Sequence, residues 1–90
     1  MTDIYLVITE DRHADTEVTP FADEAAAIAF AEQEVSEGAL DPGDIDHQEL
    51  TDAMKADGWI WYCRYSSEGD SVRVVRRELR GERADHPAVK

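Results

Sequence analysis

The sequence predicts an α+β fold, a single domain in which an antiparallel sheet carries helices on one face. Two β-rich apolar runs open the chain, two helical segments fill its middle and two further β-rich runs follow, so the order is β-β-α-α-β-β. With 90 residues, of which 42% are hydrophobic, the chain has enough apolar material for one core. We assign residues 1–80 to this domain and residues 81–90 to a flexible C-terminal tail.

The first half of the chain predicts a hairpin followed by a long helix. Residues 4–9 (IYLVIT) are apolar on both faces of an extended strand, which is typical of a central strand. Residues 16–21 form a weaker strand, and Pro20, which lacks an N–H group, confines it to an edge or a strand end. Residues 23–37 are rich in the strong helix formers Ala and Glu, and Gly38 is a typical stop. The apolar stripe of this helix consists of Ala27, Ile28, Ala31 and Val35.

The second half predicts a shorter helix and a second hairpin. Residues 46–57 have a helical pattern, in which Asp46 and Glu49 are spaced like a capping box. Residues 59–65 (WIWYCRY) give the strongest strand pattern of the chain, and residues 72–79 form the last strand after a turn that contains a glycine.

The net charge is extreme, with 21 acidic against 9 basic residues and a formal charge of -12. Repulsion between like charges destabilises a compact state, but at 1 M salt the Debye length falls to about 3 Å and screens it. Only two of the basic residues are lysines, and alanine is abundant. This composition is typical of proteins from salt-in halophilic archaea. The alternatives are an ordinary acidic protein and an acidic decoy for a basic partner.

The sequence gives no sign of a membrane or an oxidising compartment. No apolar run approaches the roughly 20 residues that a membrane span requires, and the acidic N-terminus lacks the layout of a signal peptide. The single cysteine, Cys63, excludes an internal disulfide. We therefore predict a cytoplasmic protein that neither contacts membranes nor carries a cofactor.

Asp11, His13 and Asp15 alternate in the segment EDRHAD and are the candidates for chemistry. In an extended segment they share one face, where they would serve as metal ligands or as an acid/base group. The alternative is a solvated turn in which the aspartates bind backbone N–H groups. Because a catalytic zinc site uses three protein ligands and only one histidine is local, we favour the turn.

The aromatic strand is the candidate interaction surface. Strict alternation predicts that Trp59, Trp61 and Tyr65 share one face and that Tyr62 lies on the other. Such a row belongs to a core, to a dimer face or to a platform that stacks bases, in that order of preference. One layer of two short helices covers only one side of the sheet, so we predict that the other side forms a homodimer; another protein partner is possible.

The arginines of the last strand, among them Arg73, Arg76 and Arg77, extend this candidate surface. Residues 1–72 carry 18 acids and 3 bases, whereas residues 73–90 carry 3 acids and 6 bases. An arginine stripe can bind phosphate, but the acidic remainder of the molecule would repel a nucleic acid. We therefore expect these arginines to pair with carboxylates of their own chain or of a twin subunit, and we regard nucleic acid as an unlikely partner.

The segment YLVITEDRHADTEVTPFADEAAAIAFA resembles small acidic uncharacterised haloarchaeal proteins, in which an EDRHAD-type turn follows the first strand. The resemblance covers about the first third of the chain. It implies a salt-rich cytoplasm, and it implies no activity and no functional residues.

Together these patterns predict a small halophilic cytoplasmic protein that acts as a binding or interaction module without chemistry of its own. The alternative is a metal-dependent or acid/base enzyme centred on Asp11, His13 and Asp15, whose side chains would have to converge in a concave pocket. A nucleic-acid accessory that uses the C-terminal arginines is the third hypothesis, and salt-dependent binding to DNA or RNA would single it out.

Overall fold

The described part of the chain forms an α+β arrangement of five antiparallel strands and two α-helices, which confirms the predicted class. The computed structural model describes residues 2–11, 15–66 and 69–79, so the predicted tail at residues 81–90 lies outside the described part. The elements are, in chain order, β1 (Thr2–Glu10), β2 (Glu17–Phe21), α1 (Glu24–Gly38), a short 3-10 helix (Pro42–Asp44), β3 (Asp46–His47), α2 (Asp52–Ala56), β4 (Trp59–Arg64) and β5 (Ser71–Leu79).

The strands lie in the order β2-β1-β5-β4-β3, and all neighbours are antiparallel. Both predicted hairpins, β1 with β2 and β4 with β5, are confirmed. β1 lies inside the sheet between β2 and β5, as its two apolar faces predict. β2 is an edge strand, which explains how it accommodates Pro20.

The register of β1 against β5 divides the sheet into two faces. Val7 pairs with Val74, and both side chains are fully buried in the core cluster that includes three residues of α1. Ile8 pairs with Arg73, and because successive residues of a strand alternate, both point to the opposite side. We call the side packed on α1 the helix face and the opposite side the open face.

α1 covers the helix face with the apolar stripe that its sequence predicts. Its residues Ala27, Ala31 and Val35 are buried against the sheet, and Ile28 packs beside them. The small alanines let the helix approach the strands closely. Phe30 lies at the border of the stripe and packs on Phe21 at the end of β2, with the ring centroids 5.2 Å apart.

The N-terminus of α1 depends on Asp23. Its carboxylate accepts a hydrogen bond of 2.8 Å from the backbone N–H of Ala26, which would otherwise have no partner in the helix. We expect Asp23→Ala to cost about 1 kcal/mol of unfolding free energy and to lower the Tm by about 4 to 8 °C, measured by thermal melting. Asp23→Asn keeps the acceptor and should melt within about 2 °C of the wild type. Equal melting of Asp23→Ala and the wild type would contradict this role.

Residues 46–57, which the sequence predicts as one helix, contain a short strand followed by a shorter helix. Asp46 and His47 form β3 and pair with Arg64 and Cys63 of β4, so the predicted capping box at Asp46 is wrong. Pairing satisfies backbone groups at the outer edge of β4, and this tertiary gain overrides the local helical pattern.

α2 is confined to five residues after this strand, and Thr51 is its N-cap. The Thr51 hydroxyl accepts a hydrogen bond from the backbone N–H of Met54 at 3.1 Å. α2 packs mainly against β4. Within the described part of the chain, neither helix is long and apolar enough to cross a membrane.

Candidate interaction surface

A β-bulge in β4 decides which aromatic side chains face outward. Trp59 pairs with Val75 and Trp61 with Val74, so the register shifts by one residue between the two tryptophans. Because Val74 belongs to the helix face, Trp61 lies on that face and Trp59 lies on the open face. The prediction that Trp59, Trp61 and Tyr65 share one face is therefore wrong for Trp59.

The bulge builds an arginine–aromatic cluster on the open face. The guanidinium carbon of Arg73 lies 5.0 Å from the ring centroid of Trp59, a cation–π contact. The ring of Tyr62 meets Trp59 edge to face at 5.1 Å, and Glu10 bonds the Arg73 guanidinium at 3.0 Å. These four side chains, termed the Arg73 cluster, join three strands and hold one another in place.

Apolar side chains of β1 and β2 continue this surface. Ile4, Leu6 and Ile8 lie on the open face and are half-buried. Val18, which pairs with Ile8, extends the face to the edge strand and is 54% exposed. Val75, which pairs with Leu6 and Trp59, also lies on the open face but is only 1% exposed. The Arg73 cluster therefore shares the side of the sheet opposite α1 with Ile4, Leu6, Ile8 and Val18, and Val75 is covered there.

The charge of the open face differs from that of the whole chain. Among the described residues, its strand positions carry three arginines, Arg64, Arg73 and Arg77, against two carboxylates, Glu10 and Asp46, which gives a formal balance of +1. By contrast, α1 carries four glutamates and no basic residue. The net charge of -12 is therefore distributed unevenly, and the open face is the nearly neutral side of an acidic molecule.

The other arginines of the predicted surface have different surroundings. Arg77 points to the open face and donates a hydrogen bond of 2.7 Å to the backbone carbonyl of Asp57, with the Asp57 carboxylate 3.9 Å away. It therefore fastens the end of α2 at the border of the open face. Arg76 pairs with Tyr5 and lies on the helix face, where it is exposed. The expected pairing of these arginines with carboxylates of their own chain is confirmed for Arg73 and Arg77.

Tyr65 is part of the helix-face core, where it is 4% exposed. Burial, followed by the nearby negative charges of Asp11, Asp70 and Glu34, raises the pKa of its phenol to about 12. Cys63 is fully buried in the same cluster, and burial raises the pKa of its thiol. Because the thiolate is the reactive form, Cys63 is suited to packing and not to nucleophilic chemistry.

The three candidate residues of the EDRHAD segment are only partly described. Asp11 is half-buried and lies close enough to Tyr65 to influence its pKa, whereas Asp15 is exposed. His13 lies outside the described residues. Among the residues with described positions, no group of three or more His, Cys, Asp or Glu side chains is arranged to hold a metal ion.

A small cleft lies between the C-terminal half of α1 and the β3–β4 edge. It has a volume of about 210 Å³, and its walls include Glu32, Val35, His47 and Trp61. Within this lining, the ring of His47 meets that of Trp61 edge to face at 5.6 Å. Pockets that enclose small-molecule ligands usually exceed about 300 Å³, so this cleft is too small for most cofactors.

Sequence reasoning found Trp59 and Arg73 but missed the β1 side chains that adjoin them. Ile4, Leu6 and Ile8 were recognised as one face of a central strand, and the alternation itself carried the necessary signal. Only the order of the strands shows that this face lies beside Arg73 and is not covered by α1. No protein-family model matches the chain, and neither a curated protein nor a solved structure matches it.

Proposed function

We propose that this protein is a non-catalytic binding module of a salt-rich cytoplasm and that the open face is its binding surface. The observation that carries the proposal is the Arg73 cluster, set beside half-buried Ile4, Leu6 and Ile8 on the side of the sheet opposite α1. Aromatic residues and arginine are the side chains most enriched at the centre of protein interfaces.

The geometry of the cluster supports binding. Arg73 is held between the Trp59 ring and the Glu10 carboxylate, and its side chain is only 20% exposed. Its rotamers are thus already restricted. Covering Arg73 with a partner therefore costs less side-chain entropy than ordering a freely moving arginine would. Exposed Val18 at the rim adds apolar area that a partner would remove from water.

The composition supports the salt-rich environment. Outside the open face the chain is densely acidic, and α1 alone presents four glutamates without a compensating base. The repulsion within such a surface destabilises the fold little where salt screens charges beyond a few ångströms. The resemblance of the first third of the chain to haloarchaeal proteins points in the same direction.

Hydroxyl-radical footprinting tests whether the open face binds a partner. The protein would be oxidised alone at low concentration and again after addition to a cell extract in molar KCl. We expect oxidation of Trp59 and Tyr62 to fall severalfold in the extract, because a bound partner excludes radicals from the open face. Mass spectrometry of the peptide that contains β4 measures both residues together with Trp61, which lies on the helix face.

Leu40, which is fully exposed in the loop after α1, is the reference for scavenging by the extract. After correction for Leu40, a selective decrease at Trp59 and Tyr62 supports the proposal. Unchanged oxidation of both residues in the extract and also in the purified protein at high concentration, where self-association would cover the open face, would refute it. A decrease confined to the outer side of α1 would refute it as well.

A further inference from the structure

We infer that the occupant of the open face is a second copy of this chain, in a two-fold dimer that joins two open faces. This inference rests on the proposed function, since it identifies the partner of the proposed binding surface. In such a dimer the same residues meet from both sides, so the surface must be complementary to itself.

Charge selects a second copy over other partners. A basic protein would be attracted to the acidic α1 side, and a nucleic acid would be repelled by the net charge of -12. The open face itself has a balance near zero, with Glu10 beside Arg73 and Asp46 paired opposite Arg64. It is therefore the side on which two copies approach with least repulsion.

The size of the face sets the expected strength of the dimer. The apolar positions span four strands at about 4.8 Å spacing and about 20 Å along them, which is on the order of 400 Å² in projection. Two copies would bury on the order of 800 Å², which is below the roughly 1,200 Å² of stable specific interfaces and falls among weak, transient ones. We therefore expect dissociation in the micromolar range, as is typical of a reversible association.

Salt gives this dimer a distinctive signature. Each copy brings a charge of -12, and the overall repulsion between copies opposes association. Raising KCl from about 0.1 M to about 2 M should therefore strengthen the dimer, because the screening length falls from about 10 Å to below 3 Å. A contact held mainly by ion pairs would respond in the opposite direction.

Sedimentation equilibrium of the purified full chain tests the inference. In about 2 M KCl the average mass should rise from 10.1 kDa toward twice that value as the concentration increases from about 5 µM to about 500 µM. Val18→Glu places a carboxylate on the open face and should raise the dissociation constant at least about tenfold. Leu40→Glu adds the same charge in a fully exposed loop and should change it less than about twofold.

Circular dichroism would confirm that both variants keep the wild-type fold. A mass that stays at 10.1 kDa up to the highest concentration overturns the dimer. So does a dimer that Val18→Glu leaves intact, or one that both variants weaken equally. If the dimer fails while the footprint in extract persists, the open face binds a different protein and the proposed function stands. If both fail, the proposed function fails as well.

Discussion

Gly58→Ala is expected to destabilise the fold by about 3 kcal/mol, the upper end of the usual range for a single substitution. Gly58 has φ +94, a backbone conformation that L-residues rarely adopt. A Cβ at this position would lie 2.6 Å from the backbone oxygen of Arg76, and the Gly58 carbonyl accepts a hydrogen bond from the Arg76 N–H at 2.8 Å. The added methyl group must therefore disturb the pairing that starts β4. Urea unfolding followed by circular dichroism measures the loss.

Gly69→Ala is the matched control. Gly69 also has a positive φ, +101, but an added Cβ would have no atom within 4 Å. Gly69→Ala should lower the free energy of unfolding only by the cost of the backbone strain, about 1 to 1.5 kcal/mol. The difference between the two variants reports the crowding of the added Cβ by the backbone oxygen of Arg76 and by Nη1 of Arg77, each 2.6 Å away. Equal destabilisation would show that this close approach is absent in solution.

The fold class and the hairpins could be predicted from sequence because alternation and helical periodicity are local signals. The alternation of the strand at residues 4–9 and the helical spacing of the Ala-rich segment at residues 23–37 are each visible within a few residues. The position of Trp59 could not be predicted in the same way. It depends on the bulge that lies between Trp59 and Trp61 in the pairing of β4 with β5. One extra residue in a strand moves the side chains that precede it to the opposite face of the sheet.

The prediction of one helix over residues 46–57 was wrong for a related reason. Their composition suits a helix, but Asp46 and His47 lie beside the outer edge of β4, and pairing there satisfies backbone groups that a helix would leave open. No local pattern reports the presence of that edge. The sequence instead contained a correct cap signal further on, because Thr51 followed by Asp52 starts the shorter α2.

Gly38 shows how a correct prediction can have a different physical reason. It was expected to end α1 through its conformational freedom, and α1 does end there. Its φ is not in the left-handed region, since only Gly58 and Gly69 have positive values among the described glycines. An added Cβ at Gly38 would instead lie 2.8 Å from Cε2 of Tyr65. The glycine makes room for the buried tyrosine ring, a requirement that only the packed structure reveals.

Salt is expected to have the largest effect of any condition on this protein. Raising KCl from about 0.1 M to about 3 M should increase the Tm by about 10 to 20 °C, which corresponds to about 2 to 3 kcal/mol for a domain of this size. A pair of like charges about 10 Å apart in water costs about 0.4 kcal/mol before screening, and the chain carries twelve uncompensated negative charges. Molar salt removes most of this repulsion. Thermal melting at several KCl concentrations measures the effect.

The shape of the salt dependence separates screening from a general strengthening of apolar burial. Screening acts mainly below about 1 M, whereas exclusion of solutes from the surface grows steadily and is reproduced by uncharged sucrose. Glu32→Lys provides a matched variant, because residues 28, 29, 35 and 36 are all uncharged and the new lysine gains no partner along α1. It should raise the Tm at about 0.1 M KCl and leave it unchanged at about 3 M. A Tm that stays flat or falls as salt increases would refute the salt-rich environment proposed for this protein.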